Sequence, residues 1–402
     1  MIQNIAELSP KEKVKTTLRD KLIVSRTFFP KEGGIEEYVY NRCLQDSEQI
    51  IVATPSLSGD KEFDRIQKFP IYRWYVPSFL TGGLIAGIVK QIFTLIGSFL
   101  LGLKLYFRYR YSFIEWGHGY DFPSILLLSY ILPIRFFIYL HGDDILCPLR
   151  NPLLRKLFEL TLQRASGISC NSHFTRDYLR TNFQFDTPTY IIHPTVRTEK
   201  FGEKLSQSTS EQLRLQIRQK YDIPQNAIVI LSVGRLVKRK GFHRIVENLP
   251  LLLQKSLDVH YIICGRGGME TELKNMVKHL NLEDKVHFTG FVPDKELNAY
   301  YAASDIFAML TFFDSKAASI EGFGIVYLEA GYFGKPAIAS AVGGVVDAVK
   351  QGENGILVNP NSGYEILEGL TRLCEDKELR ERLGNKGREL AQRQTPHRVM
   401  YQ

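Results

Sequence analysis

No two of the five cysteines (Cys43, Cys147, Cys170, Cys264, Cys374) stand in a C-x-x-C pair, and their number is odd. That pattern offers neither a disulfide framework nor a cysteine zinc site, and it suits a reducing cytoplasm. No G-x-G-x-x-G follows an apolar run, so the fingerprint of a nicotinamide-dependent oxidoreductase is missing. No D-x-D occurs either. The usual carboxylate pair for a nucleotide-bound divalent metal is therefore lacking, and we expect no metal and no cofactor. The first 20 residues are polar and charged, without the apolar core of a signal peptide. Charge is not extreme: 51 Lys and Arg against 43 Asp and Glu leave a formal +8. Phosphorylated ligands, an anionic membrane surface and nucleic acid all tolerate that balance, which alone decides nothing.

What is present is 402 residues, 44% hydrophobic and 23% charged, enough for two domains with ample cores. In the first half KLIVS (21–25) reads as a buried strand, running into a loop with paired Gly33 and Gly34 before a helical stretch. FIEWGHGYDFPS (113–124), RFFIYLHGDD (135–144), SGISCNS (166–172) and YIIHPT (190–195) supply further strand ends. Residues 197–225 are charged and Ser/Gln-rich and fit an inter-domain connection with a helix at about 209–221. Then AIVILSVGR (227–235), VHYIICGRGG (259–268), KVHFTGFV (285–292), DIFAML (305–310), PAIAS (336–340) and GILV (355–358) repeat the plan. Continuous apolar runs mark strands buried on both faces. Strand, glycine turn and helix, repeated in both halves, predict two doubly wound α/β domains with a cleft between them.

One apolar run is long. From Leu84 to Leu103 only Lys90 is charged, and about 20 such residues can span a bilayer. Residues 79–110, which end in Arg108 and Arg110, have three readings: a helix lying in a membrane surface, a buried crossover helix, or a span. A single crossing here would divide the first domain between two compartments.

The stretch EGFGIVYLEAGYFGKP (321–336) organises the rest. Gly334 and Pro336 stop a helix expected at about 324–333. Gly322 and Gly324, flanking Phe323 ahead of Ile325, leave its N-terminal N–H groups open to an anion. Eight helical steps from Glu321 to Glu329 would rise roughly 12 Å, at about 1.5 Å each. Retaining hydrolases need carboxyl groups about 5–5.5 Å apart and inverting ones about 6.5–9.5 Å. The two glutamates therefore suit one extended ligand, each binding different hydroxyls with phosphates between. Gly234-Arg235 and Lys240 lie past the end of a strand and complement this helix, because pre-placed cations stabilise a departing diphosphate most at the transition state. Lys238 and Arg239 read equally as a solvated basic turn. His118 and His141 each follow an apolar run and can bond sugar hydroxyls. Gly142, Asp143 and Asp144 make a polar mouth beside His141.

VGRLVKRKGF, CGRGG, FTGFV, YYAASDIFAMLT, EGFGIVYLEAGYFGKPAIASAVGGVVDAV and ENGILV, in that order over about 230–385, resemble the retaining glycosyltransferases of family 4. PKEGGIEEYV, HGDD and SCNS extend the resemblance, more loosely, into the first half. It implies a GT-B fold of two Rossmann-like domains: an extension (1–20), an acceptor-binding domain (21–200), a linker (201–225), a nucleotide-sugar-binding domain (226–385) and a C-terminal helix crossing back (386–402). It also implies donor-sugar contacts by Glu321, a ribose contact by Glu329, a diphosphate clamp of Arg235 and Lys240, and a base contact near Phe291. Gly33 and Gly34 would close over the phosphates, with Gly234 and the segment Gly322-Phe323-Gly324-Ile325 around the donor. His141 would stand by the transferred sugar, with His118 and Asp143 toward the acceptor. Arg266 stands where an acidic residue is common, and IIHPTVR (191–197) replaces the usual Pro-Asn-Gly-type turn. The expected reaction is metal-independent hexosyl transfer, with retention, from a nucleotide diphosphate sugar to a glycan, lipid-linked or small-molecule acceptor, and no nucleic acid partner. The expected location is cytoplasmic, at the membrane face if residues 79–110 lie there. A sugar-nucleotide epimerase or a non-catalytic sugar-nucleotide binder is the alternative.

Overall fold

Apolar runs covered on both faces by helices pair best in parallel, and the thirteen strands among the described residues do so. The computed structural model describes residues 19–77, 83–202, 206–314, 319–393 and 396–401, with the side chain of Leu84 left out. The expected extension at 1–20 lies almost wholly outside the described residues, as do 79–82 of the apolar stretch. The first sheet holds β1 (Lys21–Val24), β2 (Ile50–Pro55), β3 (Ile71–Trp74), β4 (Phe113–Trp116), β5 (Arg135–Leu140), β6 (Gly167–Cys170) and β7 (Thr189–Ile191), in the order 3-2-1-4-5-6-7. The second holds β8 (Ile228–Val233), β9 (Val259–Cys264), β10 (Val286–Gly290), β11 (Ile306–Met309), β12 (Ala337–Ser340) and β13 (Gly355–Val358), in the order 10-9-8-11-12-13. Two core clusters, led by Leu22, Trp116 and Phe158 and by Ile23, Val39 and Tyr139, sit in the first domain, and one larger cluster fills the second.

Strand order reverses between β1 and β4 and between β8 and β11, and doubly wound sheets bind ligands at such points, beyond the carboxyl ends of the strands. The loops after β1, β5, β8 and β11 carry Gly33, His141, Lys240 and Glu321.

Three features differ from the sequence reading. β2 and β3 stand outside the strands expected above, and β3 is a half-buried edge strand of only four residues. The helix Gln207–Lys220 is no free linker. Its buried Arg218 donates to Pro224 O (2.8 Å), Ala227 O (2.9 Å) and Asp305 (2.8 Å), which fixes the helix to the second domain. A boundary at 386 would cut the helix Lys377–Ala391, in which a Cβ on Gly384 would lie 2.1 Å from Gly334 O. The return to the first domain is instead made by a 3-10 turn, His397–Tyr401, with the Tyr401 ring 4.8 Å from Phe137 and its hydroxyl on Glu115.

Residues Leu84–Tyr109 form one helix between β3 and β4. Thr94, Ser98 and Leu105 on one face are buried, and Gly97 lets Trp74 approach so closely that a Cβ would meet it at 2.5 Å. The helix is thus a crossover of the first domain, which sets aside the spanning reading. Ile85, Ile88, Ile92, Ile96 and Leu100 on the other face are 48–78% exposed, which sets aside a fully buried helix too.

Candidate active site

Past β8 the chain makes the 3-10 turn Lys238–Lys240 and reverses at Gly241, whose φ is 74°. A Cβ there would lie 2.0 Å from Leu310 O, so glycine alone permits this approach. Phe312 N donates to Arg239 O at 2.9 Å. The basic turn is thereby bound to the loop after β11. Lys240 Nζ at 2.5 Å and Arg239 Nη1 at 2.9 Å then reach one oxygen, Glu321 Oε2. Burial works against ionisation of Glu321, and the two cations overcome it, holding the carboxyl down at about 2. Burial also lowers Lys240, against the opposing pull of Glu321.

Arg235, expected in the clamp with Lys240, is exposed and has no side-chain partner among the described residues. The second cation on Glu321, beside Lys240, is Arg239. The helix behind them runs Ile325–Tyr332, within a residue of expectation, with Gly324 as N-cap at φ 92° and no side chain capping it. Glu329 is 3% exposed and fully engaged. It accepts from Lys200 Nζ at 2.6 Å and from Tyr301 OH at 2.9 Å, so a ligand hydroxyl there must share or displace Lys200. Arg266 and Phe291 are exposed beyond β9 and β10, free of side-chain hydrogen bonds among the described residues. Gly265, just ahead of Arg266, packs on Gly234, where a Cβ would lie 1.9 Å from the Gly234 oxygen.

The profile of glycosyltransferase family 4 matches residues 32–200, and that of the group 1 glycosyl transferases matches 214–390. The chain belongs to the family 4 glycosyltransferases. The transferase is 25% identical over 379 residues to a GDP-mannose-dependent alpha-(1-6)-phosphatidylinositol monomannoside mannosyltransferase of Mycolicibacterium smegmatis, covering 92% of this chain and 93% of that one. Over 173 residues, 42% of this chain and 40% of the other, it is 34% identical to a D-inositol 3-phosphate glycosyltransferase of Corynebacterium glutamicum. Among solved structures, Anabaena HepE in complex with UDP and glucose superposes with a TM-score of 0.74 at 20% identity, over 95% of this chain and 96% of that chain. A sucrose-phosphate synthase from Thermosynechococcus elongatus gives 0.76 at 20% identity, over 94% and 96%. Both likenesses speak to the GT-B fold.

On the first-domain side of the transferase, His141 donates from Nε2 to Gly117 O at 2.9 Å. Nδ1 is left as a lone-pair acceptor with no partner among the described residues. His118 is placed differently. It is 1% exposed, its Nε2 accepts from Arg26 N at 2.7 Å, and burial followed by the Arg26 charge keeps it neutral. It ties the loops after β1 and β4 together and presents nothing to an acceptor. Asp143 also departs from expectation. Its carboxylate accepts from Ser319 Oγ and Ile320 N, both at 2.8 Å. Instead of facing an acceptor, it clasps the second domain two residues before Glu321. Gly33 and Gly34 head the helix Gly34–Gln45, which has no side-chain cap, while Glu37 in its first turn is held by Arg197 at 2.8 Å.

Asp143→Ala is expected to weaken this clasp by about 2 kcal/mol, the range for hydrogen bonds to a charged acceptor. A lower urea midpoint together with a raised donor KM would be the measured result; an unchanged KM would show that the clasp does not position Glu321.

Proposed function

We propose that the enzyme transfers a hexose from a nucleotide diphosphate sugar, with retention at the anomeric carbon and without a metal ion, to a glycan or lipid-linked acceptor. One observation carries this: Lys240 and Arg239 converge on Glu321 beside an uncapped, glycine-headed helix. Cations and helix N–H groups together supply the charge stabilisation that a departing diphosphate needs. A carboxylate held at about 2 and shared by two cations is a weak base and a weak nucleophile. Its chemistry is to accept hydrogen bonds from sugar hydroxyls. With Glu321 so held, the acceptor attacks from the face the diphosphate leaves, and the leaving oxygen takes the acceptor proton. His141 Nδ1 bonds the transferred sugar.

Mannose is the first donor sugar to test, because GDP-mannose-dependent mannosyltransferases match over 92% of the chain. The acceptor of those relatives, phosphatidylinositol monomannoside, makes a lipid-linked acceptor the first choice. The enzyme is placed in the cytoplasm, resting on the membrane through the helix Leu84–Tyr109. In support, Ile85, Ile88, Ile92 and Ile96 repeat at helical spacing on its open face, the pattern of an interfacial helix.

The decisive assay follows nucleoside diphosphate release from a panel of nucleotide sugars, with and without phosphatidylinositol-linked acceptor, in the presence of EDTA. Acceptor-dependent release from GDP-mannose, unaffected by EDTA and giving an α-linked product by NMR, is expected. A β-linked product, or EDTA inhibition that Mg²⁺ or Mn²⁺ reverses and Zn²⁺ does not, removes the mechanism. For the membrane contact, Ile88→Glu with Ile92→Glu is expected to lower partition onto anionic vesicles at least about tenfold, since each buried isoleucine contributes about 1.5–3 kcal/mol. Flotation indistinguishable from the parent would remove the contact.

A further inference from the structure

Away from the Glu321 pair, three metal-ligating side chains from both domains meet. His173 opens the helix His173–Asn182, His193 follows β7, and Asp347 lies in the short helix Val345–Ala348 of the second domain. One ligand atom from each lies within 4.8 Å of the others. We propose that His173, His193 and Asp347 form a transition-metal site, suited to Zn²⁺, that bridges the two domains.

The chemistry of each ligand supports this. His193 donates from Nδ1 to Asn171 O at 3.1 Å, which leaves Nε2 as its lone-pair atom, as a backbone carbonyl behind a metal-bound histidine does. Asp347 is nearly enclosed, with a side chain 5% exposed, and accepts from His173 N at 2.5 Å. His173 Nδ1 stands 3.0 Å from Asp347 Oδ1. Ligand atoms around tetrahedral zinc sit roughly 3.3 Å apart for bonds of about 2.0–2.2 Å. That pair is within about half an ångström of the required separation, and His193 lies at most about 1.5 Å beyond it. On binding, the metal replaces the proton between Nδ1 and Oδ1, and that proton moves to His173 Nε2. No oxidation state changes.

The His173 side chain is 52% exposed, which leaves a direction open for water as a fourth ligand. Two imidazoles, a carboxylate and an open position make a borderline-soft set that favours Zn²⁺ over Mg²⁺ or Ca²⁺. One group competes: Lys350 Nζ is 3.5 Å from Asp347 Oδ1. His193 belongs to IIHPTVR, the segment that departs from the family turn. Its ring also lies 5.2 Å from that of Phe323, so an occupied site stiffens the segment ahead of Gly324. The proposal does not depend on the transferase reading, since none of the three ligands contacts Glu321, Lys240 or Arg239.

Chelator-treated full-length protein is titrated with Zn²⁺ by calorimetry and with Co²⁺ by visible absorption, and thermal melts confirm that each variant folds. Expected are one equivalent bound, the intense visible bands of low-coordinate Co²⁺, and a rise in Tm. His173→Ala, at an exposed position, is expected to lower affinity at least about tenfold. Lys350→Met is expected to raise it about threefold or more, by removing a cation from beside the ligand. Absence of saturable binding, or binding that survives unchanged in both His173→Ala and Asp347→Asn, overturns the site.

Discussion

Glu321→Ala is expected to lower turnover by about 10²–10³-fold, the loss usual when one group aimed at developing charge is removed. Two effects act together. The donor sugar loses an ionised hydrogen-bond acceptor, and Lys240 and Arg239 lose the anion that holds both at 2.5 and 2.9 Å. Cations free to move spend less time where the departing diphosphate needs them, so kcat falls more than donor affinity. Glu321→Gln separates the two effects, since it keeps the shape and one acceptor oxygen while discarding the charge. The same carboxylate contributes to folding. Its folded value of about 2 lies below the ordinary 4.5, so ionisation stabilises the fold above pH ~4.5 and that gain disappears as pH falls toward 2. Burial lowers Lys240 at the same time, which returns part of the gain. The stability difference between parent and Glu321→Gln is therefore expected to be flat above pH ~5 and to shrink on acidification. A difference that grows with acid would mean that the carboxyl is not held by its cations.

The helix Ile325–Tyr332 was legible because glycines and an apolar register mark both its ends within sixteen residues. Lys240 was legible and Arg239 was not, for a geometric reason. Consecutive residues of a 3-10 turn point about 120° apart, and nothing local tells which of three adjacent cations faces the cleft. Here Gly241, pressed on Leu310, sets that rotation. Lys200 reaches Glu329 across 129 residues, a pairing with no local signature at all. In the sequence Asp143 belongs to a polar mouth beside His141, but that mouth faces the second domain and Ser319 fills it. The long apolar helix shows the limit most clearly. Composition alone left three readings open, and only the packing of Gly97 under Trp74 separates a crossover with one bare face from a span.

Gly322→Ala is expected to be as damaging as loss of Glu321, by a route that involves no charge. A Cβ at Gly322 would stand 1.8 Å from His141 O and 2.8 Å from Asn171 Nδ2, far inside any contact distance. Neither neighbour yields easily. His141 N and Gly142 N are both pinned by Asp144 Oδ1, at 3.0 and 3.1 Å. Behind Gly322 stands Gly344, whose own Cβ would lie 1.7 Å from Gly322 O. Backbone is thus stacked on backbone through the domain junction, and one methyl group has to push the two sheets apart. Overpacking of this kind costs about 1–3 kcal/mol or more. A shift of about 1 Å between the Glu321 loop and His141 costs on the order of 10²-fold in rate. Gly322→Ala should therefore lower Tm, raise donor KM and lower kcat together, whereas Glu321→Ala acts mainly on kcat. Gly268→Ala, where a Cβ meets nothing within 4 Å, serves as the control and should behave as the parent. If Gly322→Ala melted at a lower temperature but turned over at the parental rate, the close approach of His141 and Glu321 would be a feature of folding alone, and the sugar would have to be held by groups on one domain only.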